Sequence, residues 1–237
     1  RKNTVLLEST NGADVGNNML RIMEELSKPE YKKYEIRLSC NKGVLPRAEG
    51  LLKTYRLQNV KTVVCNSFQY YKLLATAGYL FTDSTFPRRF IKREGQTYVN
   101  TWHGTPLKKM GKDVPGGAHV IGNIQRNFLM CDYLCFPNPY TKEIFRKAYN
   151  LENLFSGKYV FAGYPRNQAF FEEERQNEVK KLLGAEEKRL YCYMPTWRGT
   201  SVSQTKEERQ LQADVLKEYL QKLDTAMKDS ELMMIRL

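Results

Sequence analysis

Residues 61–82 read KTVVCNSFQYYKLLATAGYLFT, which is an apolar strand, a helix and a second apolar strand in succession. The first run, Lys61–Cys65, contains β-branched residues and the last, Tyr79–Thr82, is aromatic and apolar; both compositions favour strands. Between them, Ser67 is placed to cap a helix over 68–77, because its hydroxyl can accept an amide hydrogen of the first turn. This stretch therefore predicts a strand–helix–strand unit of an α/β fold.

The same alternation extends in both directions from this unit. The strands are mostly unbroken apolar runs, which is typical of a parallel sheet covered by helices on both faces. We predict such a domain over residues 1–163. Its further strands are predicted at 5–7, 34–40, 97–102, 133–136 and 158–161, and its further helices at 17–27, 45–55, 124–131 and 140–149.

The pattern restarts after Pro165, with a helix at 170–183 and a strand at 189–194. A long helix and a last strand at 233–237 follow. Together they predict the start of a second α/β domain over residues 164–237, cut off after two strands. The apolar residues of the long helix recur at helical spacing and predict a buried stripe, formed by Leu211, Val215, Leu216, Tyr219, Leu220, Leu223 and Met227.

The composition excludes several classes of protein. Of 237 residues, 41% are hydrophobic and 27% are charged, as in a globular protein and unlike a disordered one. No stretch approaches the roughly 20 apolar residues of a membrane span, and the first residues lack the apolar core of a signal peptide. The 38 Lys and Arg against 26 Asp and Glu give a net charge of +12, which predicts a polyanionic partner such as nucleic acid, anionic lipid or a phosphate-rich substrate.

The five cysteines are odd in number, and three lie in apolar runs. We interpret them as buried, reduced thiols of a cytosolic protein. Cys131 and Cys135 have the spacing of a metal pair, but no second pair or nearby His completes a ligand set, so both are assigned to the core. Carboxylates do not cluster either; we expect no required cofactor, and no Mg²⁺ site can be identified.

The candidate catalytic residue is His103, which directly follows the predicted strand 97–102. Ligands of open α/β sheets bind beyond the carboxyl ends of the strands. Imidazole titrates near neutrality, so a histidine in this position is suited to take a proton from a hydroxyl group. A histidine that is merely hydrogen-bonded in a turn is the alternative interpretation.

The segment around His103 is strongly basic and favours the catalytic interpretation. Between Ser84 and Asp113, seven Lys or Arg stand against two acidic residues, a net charge of +5. Such a segment attracts phosphate by charge and, through Arg, by paired hydrogen bonds. A charge run alone is usually a solvated surface, but beside His103 it predicts phosphate binding.

Two further segments are candidates for the same cleft. Pro195–Gly199 follows the strand 189–194 and supplies a hydroxyl, an indole and a guanidinium, which can hold an anionic or nucleotide group. Gly163–Asn167 lies where the two domains would join, and it is either part of the cleft or an ordinary turn. The sequence contains no P-loop and no Gly-x-Ser-x-Gly, which disfavours P-loop nucleotide hydrolysis and the common hydrolase elbow.

Three motifs together resemble the CDP-glycerol glycerophosphotransferase family of teichoic-acid and related polymer synthesis. The most specific is QTYVNTWHGTPLK at 96–108; Gly163–Asn167 and Pro195–Arg198 match two further motifs in the right order. The resemblance runs from about Tyr79 to the end of the chain. It implies a GT-B-like architecture, in which two Rossmann-like domains face each other across a cleft.

The resemblance also implies a reaction, namely transfer of glycerol phosphate from CDP-glycerol to a hydroxyl of a lipid-linked polyol-phosphate acceptor, with release of CMP. His103 would be the general base, and Lys108 and Arg198 would offset charge on the phosphoryl oxygens. Substrate contacts are predicted for Gly104, Thr105, Arg166 and Thr196. The expected location is the inner face of the cell membrane, where the charge of +12 suits an anionic bilayer.

One departure and several alternatives accompany this interpretation. Family members continue into a His-Pro motif and a Ser/Asp-rich motif that hold the donor phosphates, and this sequence has neither, so we expect the chain as given to bind the donor poorly. The same fold could use CDP-ribitol or a nucleotide sugar. A basic nucleic-acid-binding module or a membrane-docking scaffold is disfavoured; the aromatic residues mostly fall in apolar runs, so no specific nucleic acid is expected.

Overall fold

The computed structural model describes residues 2–119, 121–194 and 206–235. The chain divides into two compact units, Arg1–Gln168 and Ala169–Leu237. The division falls five residues after the boundary predicted at 163/164. Each unit is described by itself below.

The first unit is built on a seven-stranded sheet in which every neighbouring pair is parallel. Five α-helices connect the strands, as the alternation of the sequence predicts. The strands are β1 (Thr4–Glu8), β2 (Glu35–Cys40), β3 (Val60–Val64), β4 (Tyr79–Thr82), β5 (Thr97–Asn100), β6 (Tyr133–Phe136) and β7 (Lys158–Phe161). The helices are α1 (Asn17–Leu26), α2 (Leu45–Thr54), α3 (Phe68–Thr76), α4 (Gly122–Met130) and α5 (Pro139–Ala148).

The strand order is β3-β2-β1-β4-β5-β6-β7. The chain therefore adds strands outward from β1 to β3, crosses back over the sheet through α3, and continues outward on the other side of β1. The loops after β1 and β4 leave the sheet in opposite directions. This point, where the order of strands reverses, is where open α/β sheets bind their ligands.

The sheet is covered on both faces. Both faces of β1 are therefore buried, which explains the unbroken apolar run Val5–Leu7. Successive side chains of a strand point to opposite faces. Leu6 is buried in one core cluster, together with Leu80, Tyr98 and Phe128. Its neighbours Val5 and Leu7 are buried in the second cluster, which includes Met19, Met23, Ile36 and Leu38. The prediction of a doubly covered parallel sheet is confirmed.

The five cysteines are free thiols. Cys40 and Cys131 are buried as predicted, Cys65 and Cys135 are partly buried, and Cys192 is exposed. Burial was therefore the wrong prediction for Cys192. It lies in β8 (Arg189–Tyr193) of the second unit, a strand whose residues are mostly exposed.

The second unit contains α6 (Glu173–Leu182), β8, α7 (Lys206–Ala226) and β9 (Glu231–Ile235), and β8 and β9 pair in parallel. The last strand begins two residues before the predicted 233. The predicted helix at 170–183 is shorter, because Pro165–Phe171 forms a 3₁₀ segment.

The prediction of a buried stripe on α7 is wrong for half of the stripe residues whose side chains the structure describes, while Leu216, Leu220 and Met227 are partly buried. Val215, Tyr219 and Leu223 are 47%, 67% and 38% exposed. The helix has 21 residues and is therefore about 32 Å long. Two strands about 4.8 Å apart form too narrow a surface to cover it. Periodicity correctly identifies the apolar face of the helix but not whether anything covers that face.

Candidate active site

His103 is placed by an early end to strand β5. The strand was predicted to reach 102, but it ends at Asn100, whose side-chain oxygen accepts the backbone N–H of Trp102 at 2.8 Å. The Asn100 amide nitrogen also donates to the carbonyl of Ser84 at 2.7 Å. Trp102 has a φ of 49°, a left-handed conformation that costs about 1–2 kcal/mol in a non-glycine residue. The chain thus turns out of the sheet immediately before His103.

The ring of Trp102 anchors this turn in the core. It packs edge-on against Phe128 and Phe145, with centroids 5.1 and 5.3 Å away, and is only 7% exposed. The imidazole of His103 stacks on the same indole, with ring centroids 4.2 Å apart and an interplanar angle of 26°. His103 itself is exposed. The exposed imidazole of His103 is therefore supported by a stacking contact with a buried indole.

The hydrogen bond of His103 shows which of its two ring nitrogens carries the hydrogen. Nδ1 lies 2.6 Å from the backbone carbonyl oxygen of Asp83. A carbonyl oxygen only accepts hydrogen bonds, so Nδ1 carries the hydrogen and Nε2 holds the lone pair of the neutral ring. Nε2 is then the atom that can take a proton, as a general base requires.

Asp83 connects the loops that follow β4 and β1, at the reversal of strand order. Its buried carboxylate accepts the hydroxyl of Ser9 at 2.8 Å and the backbone N–H of Thr10 at 2.7 Å. Burial raises the pKa of Asp83, while those two hydrogen bonds and the charge of His103 act in the opposite direction. The carboxylate thereby fixes the segment whose carbonyl orients His103.

The loop after β1 is tightly wound. Thr10, Asn11 and Gly12 have φ values of 48°, 53° and 77°. A Cβ on Gly12 would lie 2.5 Å from Sγ of Cys65, so this position requires glycine both for its conformation and for space. The tight turn directs the Thr10 amide toward Asp83.

Asn18 holds the His103 loop from the first turn of α1. Its completely buried side chain donates to the carbonyl of Trp102 at 2.8 Å and to the hydroxyl of Thr101 at 3.1 Å. Its oxygen accepts the backbone N–H of Arg166 at 3.3 Å. One amide thus joins three segments that are distant in sequence.

The Gly163–Asn167 segment reaches the same loop through Arg166. Its Nη1 donates to the side-chain oxygen of Asn17 at 2.7 Å and to the carbonyl of His103 at 3.0 Å. The guanidinium lies 4.6 Å from the ring centre of Tyr164, whose hydroxyl is 3.3 Å from that of Thr105. The segment is therefore in contact with the loop that contains His103, while its place in a cleft stays a prediction.

The other predicted site residues differ in how much the structure says about them. Gly104 is partly buried, and an added Cβ would meet no atom within 4 Å, so the position opens onto free space. Lys108 is exposed. Thr196 and Arg198 lie outside the described residues. Roles for all of these residues, and for His103, remain predictions.

The basic segment is not uniformly available to a ligand. Lys92 is paired with Asp132, which also accepts the backbone N–H of Tyr98, and Lys112 donates to Asn150. Lys92 is partly buried and therefore contributes to the packing of the unit, whereas Lys112 is exposed. The remaining basic side chains of the segment are exposed, namely Arg88, Arg89, Arg93, Lys108 and Lys109.

Sequence reasoning missed three residues of this site, namely Asp83, Asn17 and Asn18. One signal was available for Asn18, because it stands one turn before Ile22, at the edge of the apolar face of α1. A polar residue on the apolar face of a helix needs a buried partner. Asp83 follows a strand end, like His103, but nothing in the sequence indicates that it meets Ser9.

A second buried carboxyl, Glu8, ends strand β1. It is 2% exposed and accepts the hydroxyl of Ser39 at 2.8 Å, with the Cys65 thiol at 3.6 Å. Burial is the largest influence and raises the pKa of Glu8; hydrogen bonds from Tyr70, Ser39 and Cys65 oppose it. The fold therefore favours the neutral form of this carboxyl.

We predict that Glu8→Gln changes the pH dependence of stability. A raised pKa in the folded state contributes stability below the ordinary value of 4.5, and this contribution is lost as pH rises toward the raised value. Above pH 4.5 the wild type should lose free energy of unfolding relative to Glu8→Gln, by at most about 1.4 kcal/mol per pH unit. Urea titrations at several pH values measure this difference; the exposed Glu94→Gln is the control. Parallel curves for the wild type and Glu8→Gln would contradict it.

Two further features are absent from the described part of the chain. No group of three or more His, Cys, Asp or Glu side chains there is arranged to hold a metal ion. None of the helices in that part combines the length and hydropathy needed to cross a bilayer.

Comparison with known proteins gives a family and a fold. The family described as CDP-Glycerol:Poly(glycerophosphate) glycerophosphotransferase matches residues 1–234. The match extends the resemblance seen in the three motifs to the first third of the chain. The chain is 40% identical over 140 residues to a teichoic acid poly(glycerol phosphate) polymerase of Bacillus spizizenii, covering 54% of this chain and 34% of that protein. A polymerase with the same description from Bacillus subtilis is 33% identical over 215 residues, 84% of this chain and 26% of that protein.

Among solved structures, the chain is similar to a variant of the wall teichoic acid polymerase TagF, soaked for 30 minutes with CDPG. The TM-score is 0.75 at 27% identity, over 100% of this chain and 55% of that one. This likeness confirms the predicted GT-B-like fold class. The chain spans 26% to 51% of the length of the curated relatives and about half of TagF.

Proposed function

The chain belongs to the CDP-glycerol:poly(glycerophosphate) glycerophosphotransferase family, and from this we propose that its parent protein transfers glycerol phosphate from CDP-glycerol to a hydroxyl of a growing teichoic-acid chain. The observation that carries the proposal for these residues is the geometry of His103. Its Nδ1 is bound to the carbonyl of Asp83, so Nε2 faces outward as a base at the carboxyl edge of the sheet.

The proposed step exchanges one phosphorus–oxygen bond for another and transfers one proton. The acceptor hydroxyl loses its proton to Nε2 of His103 while its oxygen attacks the phosphorus that bears glycerol. The bond from this phosphorus to the bridging oxygen of CMP breaks, and CMP leaves with the electron pair. His103 becomes an imidazolium, and the carboxylate of Asp83, which interacts electrostatically with it, stabilises this charge.

Cationic side chains would balance the charge on the phosphoryl oxygens. We assign this role to Lys108, which is exposed on the His103 loop, and to Arg198. Gly104, Thr105 and Thr196 remain candidates for substrate contacts. For Arg166, the contacts with Asn17 and His103 add a positioning role to the substrate contact predicted from the sequence.

We also propose that the reaction needs no resident metal or other cofactor. Guanidinium and ammonium groups supply the positive charge that a metal ion provides in many phosphoryl transfers. CMP release that persists in excess EDTA would agree with this, whereas loss of activity restored by Mg²⁺ would contradict it.

The acceptor and location belong to the same proposal. A lipid-linked polyol-phosphate acceptor would lie at the inner face of the membrane, and the net charge of +12 would hold the protein at an anionic bilayer. Binding to vesicles that contain anionic lipid, with none to neutral vesicles and a loss at high salt, is the expected result. Equal binding to both kinds of vesicle would contradict it.

The test of function is release of CMP by the protein at its natural length. CDP-glycerol and CDP-ribitol are offered separately, with a lipid-linked glycerol phosphate acceptor. We expect CMP from CDP-glycerol, at a rate that depends on the acceptor. CMP from CDP-ribitol alone would change the donor but keep the reaction class. No CMP from either donor would contradict the assignment and direct the search to nucleotide sugars.

A further inference from the structure

A cavity of about 220 Å³ opens beside the candidate active site, at the same edge of the sheet. Its polar lining consists largely of uncharged groups, the amides of Asn11, Asn66 and Asn123 and the hydroxyl of Thr85, with the carboxyl of Glu8. No Lys or Arg belongs to the lining that the structure describes. A site of this kind matches hydroxyl groups and lacks the positive charge that a phosphate needs.

The size of the cavity limits its ligand. Its volume corresponds to roughly seven waters, at about 30 Å³ for each water in the liquid. Pockets for drug-sized ligands measure roughly 300–1,000 Å³, so a nucleotide would not be enclosed here. A three-carbon polyol is of the right size.

The polar groups of the lining are weakly bonded to one another. The backbone N–H of Thr85 donates to Asn11 at 3.3 Å, and the Asn123 amide donates to the Thr85 hydroxyl at 3.4 Å and to the carbonyl of Phe86 at 3.3 Å. These distances are longer than the usual 2.9–3.0 Å. A ligand hydroxyl that replaces one of these contacts would lose little and gain a shorter hydrogen bond.

Glu8 adds a carboxyl to this lining. Its Oε2 accepts the hydroxyl of Ser39 at 2.8 Å, and burial raises its pKa. A polyol hydroxyl can donate a hydrogen bond to a carboxyl oxygen, whereas a phosphate oxygen without a proton cannot.

The cavity is close to the proposed base along the backbone. Thr85 lines the cavity and stands two residues after Asp83, whose carbonyl holds His103. Two residues span at most about 7 Å. A group bound beside Thr85 is therefore at most two residues of backbone away from Asp83, whose carbonyl holds His103.

We propose that this cavity binds an uncharged, glycerol-sized polyol unit of the acceptor. The assignment of this polyol to the acceptor rests on the proposed function, whereas the binding of a polyol by the cavity does not. The cavity would thereby hold the polyol part of a substrate whose reacting hydroxyl is presented to His103.

The direct test is a titration of the isotope-labelled protein with glycerol, followed by NMR of the side-chain amides. We expect the amide signals of Asn11, Asn66 and Asn123 to shift, and inorganic phosphate to leave them unchanged. Thr85→Val keeps the shape but removes the hydroxyl, and should weaken glycerol binding about tenfold. Thr54→Val, at the exposed end of α2, is the matched control and should bind as the wild type does.

Activity supplies an independent readout. Thr85→Val should raise KM for the acceptor about tenfold and leave KM for CDP-glycerol unchanged. The inference is overturned if glycerol shifts none of the three amides, if phosphate shifts them equally, or if Thr85→Val binds glycerol as the wild type does. If glycerol binds as expected but no CMP is released from any donor, the cavity stands as a polyol site and the proposed function fails.

Discussion

His103→Ala should reduce the rate of CMP release by a factor of about 10²–10⁴, with little change in stability. This is the contribution of a general base in proton transfer. The ring is exposed, and its contacts are a stack on Trp102 and one hydrogen bond to the carbonyl of Asp83. Its removal therefore costs few packing interactions while it eliminates the atom that takes the proton.

The control for this experiment is His119→Ala. His119 is the second histidine of the chain, is also exposed and lies in a 3₁₀ segment. Its replacement should leave CMP release within a factor of two or so of the wild type, as most surface substitutions do. Normal turnover by His103→Ala would remove His103 from the mechanism.

Asn18→Asp should lower the free energy of unfolding by about 3 kcal/mol and CMP release by about 10²-fold. The amide nitrogen donates to the carbonyl of Trp102 and to Thr101 in a fully buried place. A carboxylate oxygen there accepts only, so two oxygens would face each other without a hydrogen and a charge would be buried. A displacement of His103 by about 1 Å is enough for the expected loss of rate.

The neighbouring Asn17→Asp provides a matched control. The side-chain oxygen of Asn17 accepts from the guanidinium of Arg166, and a carboxylate accepts the same hydrogen bond with added charge attraction. Its φ of 57° suits Asp as well as Asn. Urea unfolding followed by Trp102 fluorescence, in a Trp197→Phe background, compares the two variants. Equal stability for Asn18→Asp and Asn17→Asp would show that Asn18 does not hold the loop.

The sequence alone determined most of the secondary structure of the first unit and identified His103 as the candidate base. The predicted strands Tyr79–Thr82, Tyr133–Phe136 and Lys158–Phe161 coincide with β4, β6 and β7. Apolar runs, side-chain periodicity and helix caps are properties of neighbouring residues, so they can be identified without the fold. The motif around His103 is also continuous in the chain, and its resemblance to the family, which the family match confirms, could be recognised without the fold.

Only the tertiary structure decided the order of the strands and the groups that hold His103. Ser9 and Asp83 are 74 residues apart, Asn18 and Trp102 are 84 apart, and Arg166 and Asn18 are 148 apart. No local pattern encodes such pairs, because they depend on the crossing of the sheet between β3 and β4. The partly exposed stripe of α7 shows the same limit. Periodicity specifies which face of an element is apolar, whereas long-range packing specifies what that face meets.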